Sequence, residues 1–294
     1  MATVLTPDDL IAGRGGRLVR FGTFARRNPT FVVGMVLLSL LVVASLAAPV
    51  LGTKDPIAIS VMDRLQAPSE EHLFGTDMMG RSVYSRVIYG GRVSLIVGLS
   101  VAFAATAIGL VIGLLAGYLN WFDTIIMRVM DGLMAIPSIL LAIALMTLAG
   151  SSIRNIIIAI TIPEIPRVTR LVRGMVLSVR EQPFVEAAIA SGTKTARLVR
   201  RHILPQTITP LIVQATYVTA SAIISEAYLS FLGAGTPPEI PSWGNIVAEG
   251  RAFFTVAPWV VLFPSVLLAL TVLSVNILGD GLRDTLDPRM ARRM

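Results

Sequence analysis

The sequence predicts an all-α, polytopic membrane protein with six transmembrane helices. The prediction rests on the overall composition, a series of long apolar segments, and the distribution of basic residues between those segments. Of the 294 residues, 54% are hydrophobic and 15% are charged, and the mean hydropathy is +0.75. Soluble domains carry about 25% charged residues, so this chain has too little charge to cover a soluble globule of its size. An intrinsically disordered chain is excluded because apolar residues dominate.

Residue types that are rare or absent narrow the chemistry. The chain has no Cys, which excludes disulfides, thiolate metal sites, iron–sulfur clusters and Cys nucleophiles. Its two His, His72 and His202, are far apart in the sequence, so a His-based metal centre is not predicted. The net charge of +7 does not indicate a nucleic-acid partner, because no basic run is interleaved with aromatic residues.

Residues 31–51 form the first predicted membrane span. This uncharged run is long enough to cross a hydrocarbon core of about 30 Å at about 1.5 Å per residue. A cleaved signal peptide is the competing interpretation, because Ala47 and Ala48 resemble a cleavage site. The apolar run is too long for that, and an Arg-bearing segment of thirty residues precedes it. We therefore predict an uncleaved first helix.

Five further spans are predicted, and the fourth is the least regular. The apolar residues 155–163 are too short to cross alone, and Arg167, Arg170 and Arg173 follow at three-residue spacing. Extending the helix to about residue 177 supplies the length and places the arginines near its inner end. The other four spans are predicted at about 94–118, 132–149, 207–233 and 258–279.

The distribution of basic residues supports six crossings and gives the orientation. With six spans, eighteen of the 25 basic residues fall on one side of the membrane and seven on the other. The positive-inside rule makes the richer side cytoplasmic. Both termini, residues 1–30 and 284–294, are then cytoplasmic, and the loop 52–93 is extracytoplasmic.

A stripe of small residues marks one face of the second predicted span. Ala105, Gly109, Gly113 and Gly117 recur at four-residue spacing. Small side chains on one helical stripe let a neighbouring helix approach closely. We expect this stripe to be a packing surface.

The longest cytoplasmic loop is predicted to contain two short helices. Pro183 suits the first turn of the first helix, and Gly192 can end it. The second, 194–202, carries basic residues on one face, and Pro205 marks the entry to the fifth span. Composition alone would favour a plain solvated loop.

The residue spacing in this loop resembles a known motif. Glu186-Ala187-Ala188, then Gly192, then Leu204-Pro205 is similar to the EAA loop of permease subunits of ABC importers. In that family the loop docks into a cleft on a cytoplasmic ATPase subunit. His202 replaces the usual apolar residue two positions before Leu-Pro, and His-Ile-Leu-Pro resembles the peptide-importer branch.

Further motifs extend the resemblance from about residue 70 to residue 290. Gly75-Thr76-Asp77, Gly80-Arg81, the Leu229–Gly233 segment, Pro241-Ser242-Trp243-Gly244 and Asp287-Pro288-Arg289 resemble the C-type permease subunit of dipeptide/oligopeptide, and related nickel, ABC importers. The resemblance implies a type I ABC importer permease fold. Its core would span residues 94–283, with a coupling loop at 180–205.

The resemblance also implies partners and a location. They are a homologous second permease, two ATPase subunits and an extracytoplasmic peptide-binding protein, in the bacterial inner membrane. No cofactor and no catalytic residue are expected in this chain, because the phosphate-loop frame G-x-x-x-x-G-K-[ST] is absent. ATP and Mg would be bound by the ATPase partners, and ATP would drive the uptake.

Two alternatives for function remain. The same machinery could carry nickel or another small solute instead of peptides. An ion-coupled secondary transporter would need intramembrane acids, for which Glu164 and Glu226 are candidates. Glu226 is predicted either to line the translocation path or to stabilise the helix bundle.

Overall fold

The computed structural model describes residues 28–286 as a bundle of long helices. The predicted cytoplasmic segment 1–30 lies almost entirely outside the described residues. So do the Asp287-Pro288-Arg289 motif and all of the predicted tail 284–294 beyond residue 286. Ten α-helices are found in the described part of the chain: α1 Pro29–Leu46, α2 Val83–Tyr118, α3 Asn120–Ala135, α4 Ser138–Ala149, α5 Ile153–Arg180, α6 Pro183–Ala190, α7 Thr195–Leu198, α8 Leu204–Phe231, α9 Trp243–Gly250 and α10 Trp259–Leu286.

The helices account for the predicted spans, with shifted ends. By length and composition, four helical segments could each cross a membrane: Pro29–Leu46, Val83–Tyr118, Thr195–Phe231 and Trp259–Thr285. The bent pair α3 and α4 could form a fifth crossing. Helix α5 has 28 residues and is a single continuous helix, as predicted, although Pro163 and Pro166 lie inside it. Counting α5 makes the bundle consistent with six crossings.

The third predicted span, 132–149, is wrong as a single helix. The chain breaks between Ala135 and Ser138, and the axes of α3 and α4 meet at 90°. Ile136 is extended, with φ −91° and ψ 127°. The cause is Pro137, since proline disfavours a helical conformation in the residue before it and lacks an N–H of its own.

The fifth span begins where predicted, but no break separates it from the loop. Helix α7 continues through a π-helical stretch, Val199–Ile203, directly into α8. Pro205 lies in the first turn of α8, as predicted for the entry to the fifth span. The π-helical turn widens the backbone ahead of Pro205, where an ordinary helix would clash with the proline ring.

Helix α2 is the central element, and its small-residue stripe packs on α5. An ideal Cβ on Gly109, Gly113 or Gly117 would lie 2.5–2.6 Å from the Cβ of a valine of α5. Gly109 meets Val168, Gly113 meets Val172 and Gly117 meets Val176. The predicted packing surface is therefore confirmed. Large apolar side chains on the opposite side of α2 are exposed, as expected for a lipid-facing surface, with Phe103 at 77%.

Residues 52–82 fold back on the extracytoplasmic end predicted for the bundle. Gly75 and Gly80 have positive φ angles of 72°, and the two are followed by the N-cap Ser82 of α2. The indole Nε1 of Trp259 donates to the Thr76 carbonyl oxygen at 3.2 Å. These contacts bring the Gly75-Thr76-Asp77 motif of this loop against α2 and α10.

Candidate functional site: the loop between α5 and α8 and the polar clusters behind it

The loop between α5 and α8 is anchored to the bundle by three apolar side chains. Val185 of α6, Leu198 of α7 and Ile203 of the π-helical stretch are at most 1% exposed and belong to the main hydrophobic cluster. Their burial fixes the inner face of the loop. The outer face is not covered by any other part of residues 28–286.

The outer face of α6 combines apolar and acidic groups. Phe184 is 45% exposed and Ile189 is 55% exposed. Glu186 and Ala187 are exposed beside them, while Ala188 is half-buried. Within residues 28–286, the Glu186 carboxylate has no hydrogen bond or ion pair. An exposed apolar surface with an unpaired charge is typical of a surface that binds another protein.

The remaining predicted loop residues follow this face. Gly192 has a φ of +76°, and a Cβ added there would meet no atom within 4 Å. The His202 ring lies 6.3 Å from the Phe184 ring, so the structure brings α6 and the π-helical stretch together. Leu204 is half-buried and Pro205 is exposed at the start of α8.

Contacts that sequence reasoning missed attach the loop to the ends of α2 and α5. The Arg180 guanidinium, at the end of α5, donates to the Gly117 carbonyl oxygen at 2.9 Å and lies 5.3 Å from the centre of the Tyr118 ring. The Tyr118 hydroxyl donates to Thr195 Oγ1 of α7 at 3.2 Å. The loop is thus held by polar contacts as well as by apolar packing.

The three arginines that complicated the fourth span each have an acidic partner. Arg173 forms a two-point ion pair with Asp123 of α3, with N–O distances of 2.5 and 2.7 Å. Arg170 pairs with Asp131 of α3 at 2.5 Å. Arg167 pairs with Glu164 of its own helix at 3.4 Å. No pattern within α5 alone points to the two partners on α3.

Glu226 is enclosed by hydroxyl groups from three helices. Its side chain has no exposed surface, and its carboxylate oxygens accept from Ser230 Oγ at 2.8 Å and from Ser242 Oγ at 2.7 Å. Ser94 Oγ of α2 donates from 3.3 Å. Ser242 also caps α9, since its hydroxyl accepts from the Asn245 N–H at 3.1 Å. In this conformation Glu226 joins α2, α8 and α9, which matches its interpretation as a bundle residue.

A second acidic residue is satisfied in a similar way. Glu164 is 5% exposed and accepts from Ser221 Oγ of α8 at 2.8 Å. Its other carboxylate oxygen faces Arg167. Both intramembrane acids are therefore occupied by contacts within this chain.

A buried cluster of four charges lies at the end of the bundle that is predicted to be extracytoplasmic. Asp77 Oδ2 accepts from Arg81 Nε at 2.6 Å and from Arg86 Nη1 at 2.7 Å. Glu249 Oε2 of α9 accepts from the same two arginines at 2.5 and 2.6 Å. Asp77 and Arg86 are each 1% exposed. Asp77 and Arg81 thus tie the loop 52–82 to both α2 and α9.

Comparison with known proteins gives two family matches. Residues 109–292 match the family described as binding-protein-dependent transport system inner membrane component. Residues 25–68 match the N-terminal transmembrane domain of oligopeptide transport permease C.

Relatives with closely similar sequences are named as peptide, dipeptide and glutathione transport permeases. A probable peptide ABC transporter permease protein of Sinorhizobium fredii is 56% identical over 92% of both chains. A dipeptide transport system permease protein of Alkalihalophilus pseudofirmus is 43% identical over 90% of this chain and 88% of its own. A glutathione transport system permease protein of Escherichia coli is 43% identical over the same shares.

Proposed function

The chain belongs to the family of binding-protein-dependent transport system inner membrane components, and from this membership we propose that it is the permease subunit of an ATP-driven peptide importer. Its cargo is di- or oligopeptide delivered by an extracytoplasmic binding protein. The names of the relatives from Sinorhizobium fredii and Alkalihalophilus pseudofirmus support peptides as the cargo class. The chain is a transport subunit and contributes no catalytic residue to ATP hydrolysis.

The outer face of α6 carries this proposal. It presents Phe184, Glu186 and Ile189 to the cytoplasm on a loop whose inner face is anchored in the bundle. Docking on an ATPase subunit would bury the two apolar side chains and give Glu186 a basic partner. Two ATPase subunits would bind ATP and Mg, and a homologous second permease would complete the membrane part.

The proposed mechanism follows from the way the loop is attached. Closure of the ATPase subunits on ATP would displace α6. Because α6 follows α5 after two residues and α7 is continuous with α8, the displacement would pass directly to two long helices. Rigid helices that move together in this way convert a local motion into alternating access. Both chain termini would lie on the cytoplasmic side of the inner membrane.

The alternatives receive less support from the geometry. An ion-coupled transporter would use accessible acids in the membrane, whereas Glu164 and Glu226 are buried and hydrogen-bonded within this chain. The ligand of the binding protein would distinguish nickel from peptides as cargo, because the binding protein selects what is delivered.

Uptake by the complete complex in sealed vesicles tests the proposal. The complex of this chain, the second permease, the ATPase subunits and the binding protein should accumulate a labelled dipeptide when ATP is supplied. A proton uncoupler should leave uptake unchanged, and a non-hydrolysable ATP analogue should abolish it. Uptake that follows the ion gradient instead of ATP would refute the proposal. Identification of the ligand that copurifies with the binding protein would separate peptides from nickel.

A further inference from the structure

Helix α3 buries few of its side chains within this chain, and two ion pairs join it to α5. Of its sixteen residues, Met130 alone is buried. The stripe Trp121, Ile125 and Val129 is 50–67% exposed, so it contributes little packing within this chain. Apart from its links to α2 and α4, α3 is therefore fixed against α5 mainly by the less exposed of the two pairs, Asp123 with Arg173.

Helix α3 is joined to its neighbours at both ends, because Leu119 alone separates it from α2 and a bend separates it from α4. Its C-terminal end is joined to α4 by the 90° bend at Ile136 and Pro137. Helix α4 is fixed, since Ala142 and Met146 are buried in the main cluster. At the other end, Asp123 lies in the first turn of α3 and is bound by Arg173. The N-terminal end of α3 is thus held both by its short link to α2 and by the ion pair with α5.

Arg173 lies close to the loop that we propose to dock on the ATPase. Arg180, the last residue of α5, lies seven positions after Arg173, which is about 10 Å along the helix axis. The guanidinium binds both oxygens of Asp123 through Nε and Nη2, at 2.5 and 2.7 Å. A two-point pair of this kind constrains orientation as well as distance.

We propose that the Asp123–Arg173 pair is the positioning contact through which motion of the loop between α5 and α8 reaches the α3–α4 bend. The inference rests on the proposed function, because it needs ATPase-driven motion of that loop. Neither residue touches cargo or nucleotide. Their role is to make α3 turn with α5, so that the bend at Pro137 changes when α6 moves.

Coupling is measured as peptide transported per ATP hydrolysed by the complete complex in vesicles. Asp123→Asn and Arg173→Gln should assemble and hydrolyse ATP while this ratio falls at least fivefold. The reversed pair, Asp123→Arg with Arg173→Asp, should recover at least half of the wild-type ratio. A merely structural role would lower assembly, hydrolysis and transport together and would not be rescued by the reversed pair.

The neighbouring pair provides a matched control. Asp131 and Arg170 join the same two helices, but their side chains are 56% and 44% exposed, against 22% and 33% for Asp123 and Arg173. Solvent weakens such a pair, so Asp131→Asn should keep the ratio within twofold of wild type. A wild-type ratio in Asp123→Asn, or a loss that the reversed pair does not recover, would overturn the inference. Absence of ATP-dependent uptake in the wild-type complex would instead refute the proposed function.

Discussion

At the scale of single residues, Gly192 is needed for its backbone conformation and not because the site lacks space for a side chain. Its φ of +76° is a conformation that glycine adopts freely, and no atom lies within 4 Å of a Cβ added there. A substitution would therefore act through the backbone and not through a clash. The residue ends α6 just after the outer face that we propose to bind the ATPase.

Gly192→Val is expected to abolish uptake while the permease still inserts in the membrane. A β-branched residue at this φ would be strained by about 1–2 kcal/mol or more, and the turn would move to relieve the strain. Gly192→Asn is the matched control, because Asn tolerates positive φ and the site has room for it. Copurification of the ATPase and peptide uptake are measured for both. Normal ATPase binding and transport by Gly192→Val would contradict the docking role of the loop.

Glu226 was predicted either to line the translocation path or to stabilise the helix bundle, and its surroundings favour the second role. Burial among three serine hydroxyls indicates that it links helices in this conformation. Contact with the ammonium group of a passing peptide would require those hydroxyls to separate. The two roles differ in what substitution does to assembly and to cargo preference.

Glu226→Gln is expected to destabilise the protein by about 1–3 kcal/mol, because an amide cannot accept all the hydrogen bonds of the carboxylate. It should lower uptake of free-amine and N-acetylated peptides equally, provided the binding protein accepts both. Thermal unfolding in detergent and uptake of the two peptides are measured. Glu239→Gln, an exposed acid in the following loop, controls for the charge change. Full stability with a selective loss of free-amine peptides would support the path role instead.

At the scale of elements, the contact between α2 and α5 depends on residues without side chains. Gly113 packs against Val172, and an ideal Cβ there would also lie 2.8 Å from the Thr169 carbonyl oxygen. In α5, Gly174 lies in a helix as well, but a Cβ added there would meet nothing within 4 Å. The two glycines therefore separate helix propensity from packing.

Gly113→Ala is expected to destabilise the protein by about 1–3 kcal/mol through overpacking. Gly174→Ala is expected to be neutral or to stabilise it by up to about 1 kcal/mol, because alanine favours the helix. The two midpoints of thermal unfolding are compared in the same detergent. Equal midpoints would show that the α2–α5 contact is looser than the structure indicates.

The charged cluster of Asp77, Arg81, Arg86 and Glu249 allows a second test of how the elements are joined. Arg86→Gln removes one of the two arginine partners of Asp77 in a buried site. It also removes one of the two arginine partners of Glu249. Loss of one member of a buried ion pair costs about 3–5 kcal/mol. We expect a correspondingly lower unfolding midpoint and faster proteolysis of the loop 52–82. Arg64 is an exposed arginine of that loop, so Arg64→Gln should leave the unfolding midpoint and the proteolysis rate unchanged. If Arg86→Gln also leaves both unchanged, the charged cluster does not hold the loop to the bundle.

At the scale of the whole molecule, the division of basic residues predicts the orientation in the membrane. A reporter fused after Lys194 should behave as cytoplasmic, and one fused at Glu70 as extracytoplasmic. Both positions are exposed, so a fusion there need not disturb the bundle. Activity of the two reporters on the same side would rule out six crossings, because α5 would then not span the membrane.

The positions of the long helices could be predicted from sequence because helix formation and membrane burial depend on neighbouring residues. The apolar run of α1, the glycine stripe of α2 and the turn at Gly192 were confirmed for this reason. The same local reasoning failed at Pro137, where a proline inside an apolar run was assigned to a span. At Pro205 it placed the start of the fifth span correctly but did not predict the π-helical turn that joins α7 to α8.

The partners of the polar residues were decided by the tertiary structure alone. Asp123 meets Arg173 fifty positions later, and Ser94 meets Glu226 across 132 positions. Hydropathy and helical spacing place each of these residues on a helix, but they do not say which helices pack together or at what rotation. A carboxylate inside a membrane is tolerated only when packing brings donors to it, so its role is settled by residues that are remote in sequence.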